Sequence, residues 1–118
     1  MAERMNVDYD KENDILWIGS GRKVSDSLEV DKFVIDFLKN GNVAGVEIMD
    51  ASNIISNLAS IRISRNVLGH VEDARLRYYK SSELVYVVLQ FKITIGNAVK
   101  NISLQVPAPK QAVMALNG

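Results

Sequence analysis

Hydrophobic and polar residues alternate along much of the chain, a pattern that is typical of half-buried β-strands. The longest such run is 84–95, where every second side chain on one face is apolar. On its other face Leu84, Tyr86 and Val88 are also apolar, whereas the positions that follow are polar. We therefore predict a long strand with one face in the core. The other face is predicted to be covered at one end, by a helix or by a second copy of the chain.

Further segments of this kind are bounded by turn residues, which mark the ends of strands. They predict a strand that ends at Tyr9 and strands at 15–19, 24–30, 33–38, 43–49, 74–79 and 102–106. Asn40-Gly41 is a strong signal for a tight type I′ hairpin between two of them. Pro107 and Pro109 are predicted to stop the last strand, because proline cannot donate a hydrogen bond to a ladder.

Two short helical segments interrupt the strands. Asp50 and Ser52 are candidate N-caps of a helix over about 51–58, and Ser64 is the candidate cap of a second helical turn. The buried side of the first helix is predicted to consist of Ile54, Ile55 and Leu58. Together with the strands, these helices predict an α+β fold, mainly an antiparallel β-meander sheet with two short helices.

We expect a single domain over residues 1–118. Within it, 1–58 is predicted to form a β-meander and a helix, and 59–118 to add a helical turn and a long β-hairpin. The tail 110–118, after Pro109, is expected either to fray or to pack weakly.

The amino-acid composition excludes several kinds of covalent and metal-binding site. The 118 residues include no cysteine and a single histidine, which excludes disulfides, thiolate metal ligands and zinc sites with several imidazoles. The N-terminal segment lacks the apolar stretch of a secretion signal, and the longest apolar run, 84–89, is too short for a membrane helix. We therefore expect a cytoplasmic protein with no membrane partner, and we identify no cofactor site.

The net charge of zero hides an asymmetry between the two halves. Residues 1–58 carry six basic and eleven acidic side chains, whereas residues 59–118 carry eight basic and three acidic ones. Such an asymmetry indicates electrostatic pairing between copies or an anionic partner.

Much of the positive charge of the second half lies within residues 62–80. The basic side chains there are Arg62, Arg65, Arg75, Arg77 and Lys80, with Tyr78 and Tyr79 interleaved. Arginines beside aromatic rings on one strand face contact phosphates and stack on single-stranded bases. The alternative is a solvated face, or one that docks on the acidic half of a second copy. The sequence pI of about 6.6 favours this alternative over nucleic acid.

Acidic residues and the histidine offer weaker candidates for a chemical site. The carboxylates at alternate positions of 8–14 are spaced as in a calcium loop, but Asn13 and Gly19 stand where an EF-hand requires glycine and a carboxylate. An acidic hairpin turn is the preferred interpretation.

Glu47 with Asp36 or Asp50 is a conceivable acid–base pair, and His70 is a residue type that titrates near neutrality. Structural roles are commoner for such residues. We therefore predict no metal site and no catalytic residue.

Several motifs of the first half occur together in a known family. They are V-D-Y-D-K-E-N-D-I-L-W-I at 7–18, L-E-V-D at 28–31, V-I-D-F at 34–37 and G-N-V-A-G-V-E-I-M-D-A-S at 41–52. In this order and spacing they resemble, over residues 5–55, a family of small prokaryotic proteins known as domain of unknown function 2283. Trp17 stands where the family pattern usually has tyrosine, and about sixty further residues follow the resembling segment.

The resemblance implies a soluble β-meander closed by a helix, with no established activity. Some relatives look like partners of small toxin-like proteins, so the resemblance also implies an interaction role and a small protein partner.

These observations favour a non-enzymatic interaction module that self-associates as a dimer. Leu84, Tyr86 and Val88 are the predicted contact residues, since a two-fold contact repeats the same patch on each subunit. The alternative is a nucleic-acid-binding or antitoxin-like regulatory protein that uses the basic residues of 62–80.

Overall fold

The computed structural model describes residues 3–109, and in this part of the chain nine strands and two helices follow one another. Their bounds, in chain order, are β1 Glu3–Arg4, β2 Asn6–Asp10, β3 Ile15–Gly19, β4 Asp26–Val30, β5 Phe33–Phe37, β6 Val43–Ile48, α1 Ala51–Ala59, α2 Arg65–Leu68, β7 Glu72–Lys80, β8 Leu84–Ile95 and β9 Ala98–Pro109. The predicted sheet-dominated α+β class is confirmed. The tail 110–118, predicted to fray or pack weakly, lies outside the described residues.

The strands form two antiparallel sheets. The first has the strand order β2-β3-β6-β5-β4, and the second has the order β1-β7-β8-β9. The chain passes from the second sheet to the first at Met5, which is buried and whose N–H donates to the Ala74 carbonyl at 2.9 Å. Strands β4 to β6 and strands β7 to β9 are therefore meanders, and β6 also pairs with β3.

One hydrophobic core unites the inner faces of the two sheets. Its fully buried members include Leu16, Ile18, Ile35, Val46 and Ile48 from the first sheet and Val85, Val87, Leu89 and Ile93 from the second. The inner face of β8 is buried from Val85 to Ile93, as predicted, and Ile95 at its end is half-buried. Burying about five such side chains contributes on the order of 10 kcal/mol before chain entropy is subtracted. Strand β8 therefore anchors the second sheet on the core.

Two hairpins differ in their turn chemistry. Between β5 and β6, the Leu38 N–H donates to the Asn42 carbonyl at 2.8 Å, and the Gly41 N–H donates to the Leu38 carbonyl at 2.9 Å. Gly41 has a φ of 85°, but Asn40 does not have a positive φ, so the predicted type I′ turn is wrong. The hairpin uses a three-residue loop with glycine in the left-handed position. A two-residue turn occurs instead between β8 and β9, where Gly96 has a φ of 61°.

The prediction that prolines stop the last strand is wrong, because β9 continues through Pro107 and Pro109. Opposed residues of an antiparallel pair alternately exchange hydrogen bonds and point their backbone groups away. The two-residue turn makes Ile95 and Ala98 a hydrogen-bonded pair. Because the pairs alternate from there, the even-numbered residues of β9 bond to β8 and the backbone groups of the odd-numbered residues point away from it. Both prolines are odd-numbered and lie on an edge strand, so they cost no ladder hydrogen bond.

The two helices lie where predicted, but their details differ. Ile55 is fully buried, whereas Leu58, predicted to be buried, is 53% exposed. Ser64 caps α2 as predicted, with its side chain accepting a backbone N–H. Asp50 precedes α1 in the left-handed conformation, but its side chain makes no cap hydrogen bond.

The cap of α1 comes instead from Asp14, in the turn between β2 and β3. Its carboxylate accepts from the Ser52 N–H at 3.0 and 3.2 Å and from the Ser52 hydroxyl at 2.7 Å. The Tyr9 hydroxyl donates to it at 2.7 Å, and the Arg65 guanidinium lies 3.9 Å away. The Ala51 N–H donates to the Asp14 carbonyl at 3.0 Å. Asp14 is 3% exposed, so one buried carboxylate ties the first hairpin to both helices.

These contacts set the ionisation of the cluster. Burial, the largest influence on Asp14, raises its pKa, but the hydrogen bonds from Ser52 and Tyr9 outweigh burial and hold the pKa below its usual range. Burial, followed by the hydrogen bond to Asp14, raises the pKa of Tyr9. Asp14 is therefore an ionised acceptor and Tyr9 a neutral donor at neutral pH.

We predict that Asp14→Asn lowers the free energy of unfolding by about 1–3 kcal/mol at neutral pH, because a charged cap becomes a neutral one. Asparagine tolerates the left-handed backbone of this position, where φ is 56°. Because the folded-state pKa of Asp14 lies below the unfolded one, its contribution is complete above the usual carboxyl range and disappears as pH falls below it. Urea unfolding at neutral pH and at about pH 3 measures both effects.

Asp8→Asn is the matched control, since Asp8 is exposed in the same hairpin. Equal losses in the two variants, or a deficit of Asp14→Asn that persists undiminished in acid, would contradict the assigned cap.

Candidate functional site

The outer face of the second sheet brings together predicted self-association residues and predicted basic residues. The register places three rows of side chains across β7, β8 and β9 on this face: Arg75 with Gln90 and Ser103, Arg77 with Val88 and Gln105, and Tyr79 with Tyr86 and Pro107. Leu84 and Pro109 form a further pair at the end of the sheet. The predicted self-association residues and two of the predicted basic residues therefore share one surface, called the outer face below.

The centre of the outer face is aromatic and apolar. Leu84, Tyr86 and Val88 are half-buried, and Tyr79 is 53% exposed. The Arg77 guanidinium lies 5.9 Å from the centroid of the Tyr79 ring, a distance at which a cation is attracted to a ring face. Tyrosine and arginine are enriched where proteins contact one another, so this composition is typical of a contact surface.

The other end of the outer face is a network of charges centred on Asp73. This residue has a φ of 50° at an irregularity in the β7–β8 register. Its carboxylate lies 3.1 Å from Arg75, 3.5 Å from Arg4 and 3.6 Å from Lys92. The hydrogen bond from Arg75, the largest influence, lowers the pKa of Asp73. Arg75 therefore already has an internal partner.

The five predicted basic residues do not form one patch. Arg75 and Arg77 lie on the outer face, whereas Lys80 belongs to the opposite face of the same sheet. Arg65 is bound to the turn between β2 and β3, where it donates to two backbone carbonyls at 2.9 and 3.0 Å. Arg62 lies in the loop between α1 and α2.

A polar groove runs beside α1 and the loop that leads to α2. Its volume is about 640 Å³, and serine and asparagine side chains line it together with Arg62 and Arg65. Three of the serines already have structural roles: Ser52 donates to Asp14, Ser56 accepts from the Ile63 N–H at 2.8 Å, and Ser64 caps α2. Hydroxyls, amides and positive charge are the groups that hold a phosphorylated small molecule.

The outer surface of the first sheet is acidic. Trp17 and Glu47 are opposed across β3 and β6, and Asp36 lies diagonally from Glu47 on β5. Asp36 is 5% exposed and accepts from the Ser27 hydroxyl at 2.7 Å. Burial, and then the charge of Asp36, raises the pKa of Glu47. The structure thus brings together two of the three carboxylates considered as an acid–base pair.

Close contacts with the Trp17 ring and with the backbone of β3 explain two glycines of the first sheet. Its ring lies over Gly19, where an added Cβ would be 2.5 Å from the indole. Gly19 is opposed to Gly45, where an added Cβ would be 2.8 Å from the Ile18 carbonyl oxygen. Close approach of ring and backbone therefore requires glycine at both positions.

The remaining candidates are dispersed. Asp50 accepts from the Asn53 amide at 2.9 Å at the start of α1, and His70 is exposed after α2. Among residues 3–109, no group of three histidine, cysteine, aspartate or glutamate side chains is arranged to hold a metal ion. In the same residues, no helix has the length and apolar character that crossing a bilayer requires.

Sequence periodicity does not identify Pro107 and Pro109 as members of the outer face, and sequence proximity groups Tyr79 with the basic residues of 62–80. The signal that could have found the prolines is the two-residue turn after β8. Counting outward from Gly96 pairs Tyr86 with Pro107 and Leu84 with Pro109.

Glu47→Gln is expected to raise the free energy of unfolding at neutral pH by up to about 1 kcal/mol. The folded-state pKa of Glu47 lies above the unfolded one, so its ionisation opposes folding. The advantage of the variant should disappear as pH falls below the usual carboxyl range, where Glu47 is protonated in both states. Denaturant unfolding between about pH 3 and pH 8 measures this dependence.

Glu29→Gln serves as the control, because Glu29 is exposed on β4. A loss of stability in Glu47→Gln at neutral pH would mean that the ionised carboxylate makes a favourable contact instead.

Comparison with known proteins identifies relatives that match parts of the chain of different length. An uncharacterized protein of Methanocaldococcus jannaschii is 41% identical over 54 residues, which are 45% of this chain and 47% of that protein. The chain thus spans about half the length of that relative. A protein of Methanosarcina mazei, named "Putative hypoxanthine phosphoribosyltransferase", is 40% identical over 91 residues, which are 76% of this chain and 69% of that protein. No solved structure matches the chain.

A family model described as a protein of unknown function (DUF2283) matches residues 6–52. This segment runs from β2 to the start of α1, so it contains Asp14, Trp17 and Ser52. The resemblance stated from the sequence motifs is confirmed: residues 6–52 match the DUF2283 family of proteins of unknown function, and this segment is less than half of the chain.

Proposed function

We propose that the protein is a non-enzymatic interaction module that self-associates, with the outer face as its contact surface. The observation that carries this proposal is the position of Leu84, Tyr86 and Val88, which are half-buried beside Tyr79 and Pro107 on one face. A contiguous apolar and aromatic surface that remains partly in water gains free energy when a second surface covers it.

A second copy of the chain is the partner that this surface suits. In a two-fold contact the same patch of each copy meets at the axis. The apolar residues of β8 then lie at the centre, and Arg77 on the neighbouring strand lies nearer the rim. Charges at a rim remain hydrated, so their desolvation costs little free energy on association. A small protein partner would use the same surface.

Val88→Glu is expected to halve the sedimenting mass of the protein at a given concentration, because it places a charge at the centre of the contact. The fold is expected to survive, since Val88 is opposed to Arg77, with which a glutamate forms a favourable cross-strand pair. Analytical ultracentrifugation over a range of concentrations measures the mass, and circular dichroism monitors the fold.

Thr94→Glu is the matched control, because it adds the same charge to the same face of β8 at an exposed position beyond the apolar rows. It is expected to leave the mass unchanged. A wild-type chain that sediments as a monomer at high concentration, or an equal fall in mass in both variants, would refute the contact.

Nucleic-acid binding, or an antitoxin-like regulatory role, is the alternative for the same surface. The position of Arg77 over the Tyr79 ring favours it, since such pairs stack on single-stranded bases. The other basic residues support it less, because Arg65 and Arg75 have internal partners and Lys80 belongs to the opposite face. Affinity for DNA or RNA that falls steeply with salt would distinguish this role from an apolar self-contact.

An enzymatic alternative comes from the name of the Methanosarcina mazei relative. The groove beside α1 would suit a phosphorylated substrate, through Arg62 and Arg65. We expect neither turnover of hypoxanthine with a phosphoribosyl donor nor a shift of the melting temperature by that donor, because Arg65 already holds the turn between β2 and β3. An absorbance assay and a thermal shift measurement test this. A stabilising shift that Arg62→Ala abolishes would favour the enzyme.

A further inference from the structure

Strand β9 leaves one long edge of the second sheet open. Within residues 3–109, no strand pairs with the side of β9 that faces away from β8. The outward backbone N–H groups on this side belong to Val99, Asn101, Ser103 and Gln105. Pro107 and Pro109 occupy the next two outward positions and have no N–H to donate. The run of open donors is therefore bounded by the Gly96 turn at one end and by proline at the other.

The features that usually prevent edge pairing are short length, charge, proline and bulges. This edge has only two of them, the prolines at one end and one lysine. The edge strands of the first sheet have five residues each and carry acidic side chains: Asp8 and Asp10 on β2, and Asp26 and Glu29 on β4. The opposite edge of the second sheet begins with the two-residue β1. Strand β9 has twelve residues, a single charge at Lys100 and an unbroken register with β8. Val99 on this strand is 61% exposed.

The run of open donors is also symmetric about Ile102. A second β9 that pairs antiparallel about a two-fold axis at Ile102 opposes Asn101 to Ser103 of the partner subunit and Val99 to Gln105 of the partner subunit. Each opposed pair exchanges two backbone hydrogen bonds, so every open donor of the run obtains an acceptor. The opposed side chains are all uncharged, so no like charges meet. In a register shifted by two residues in either direction, one of the open donors lies opposite a proline or opposite the turn. A proline cannot return a hydrogen bond, so that pair is incomplete.

We propose that β9 pairs with β9 of a second copy about this axis and joins two four-stranded sheets into one continuous sheet. The inference rests on the proposed self-association but adds a second contact, because edge pairing leaves the outer face uncovered. The outer faces of the two copies become one surface. Edge contact and face contact, each two-fold, together close at an assembly of four chains when their axes intersect at right angles.

Ser103→Pro tests the edge contact without disturbing the ladder to β8, because its N–H points outward at the same kind of position as those of Pro107 and Pro109. Ultracentrifugation is expected to show the wild type as four chains, Ser103→Pro and Val88→Glu as two chains each, and the double variant as one. Ser103→Ala retains the N–H and is expected to keep the wild-type mass.

The outcomes separate the two proposals. A wild-type dimer that Val88→Glu dissociates and Ser103→Pro leaves intact would overturn the edge contact and keep the proposed function. A dimer that only Ser103→Pro dissociates would keep the edge contact and overturn the outer face. A monomer at every concentration would overturn both.

Hydrogen exchange of the wild-type protein gives a readout that needs no variant. The amides of Val99, Asn101, Ser103 and Gln105 are expected to exchange at least about tenfold faster on dilution, because the edge contact then dissociates. The even-numbered amides of β9, which bond to β8, are expected to stay protected at every concentration. Slow exchange of the odd-numbered amides that is independent of concentration would show that the chain covers this edge itself, and would overturn the proposal.

Discussion

The buried carboxylate of Asp14 fixes the positions of segments that are distant in the sequence. It caps α1 through Ser52, accepts from the Tyr9 hydroxyl and faces Arg65 at the start of α2. The helices have nine and four residues, lengths at which a helix is not stable by itself. Their placement, and with it the contact of α2 with β8, depends on this group. The turn 9–14, with Tyr9 and Asp14, and the sequence D-A-S at 50–52 both lie in the segment that the family model matches. They are thus two parts of one hydrogen-bonded cluster.

The family segment and the rest of the chain contribute differently to the molecule. Residues 6–52 form the first sheet and the start of α1, and their inner face supplies one side of the core. The second sheet closes that core with its inner face, which leaves its outer face and the edge of β9 available for contact. All residues proposed for association lie beyond position 52. The proposed interaction therefore belongs to the part of the chain that the family model does not match.

Local signals account for what the sequence predicts correctly, and distant contacts account for what it misses. The bounds of β8 follow from a two-residue period and a glycine turn, which act within a few positions. The Asn40-Gly41 pair fits a three-residue loop as well as a type I′ turn, because glycine supplies a left-handed position in both. The cap of α1 lies 38 residues before Ser52, where no local pattern indicates it. Likewise, periodicity identifies Tyr86 and Val88, but only strand register places Arg77 beside them.

The two prolines of β9 connect the edge and the face of the second sheet. An unbroken open edge of twelve residues allows several pairing registers, and a slip of two residues keeps every side chain on its own face. Pro107 and Pro109 remove donors from one end of the edge without weakening the ladder to β8. Of these registers, only the one centred on Ile102 gives two backbone hydrogen bonds at every opposed pair of the run 99–105, because a proline accepts a hydrogen bond but cannot return one. Pro107 also lies beside Tyr86 on the outer face, so a residue that limits the register of the edge contributes its ring to the face.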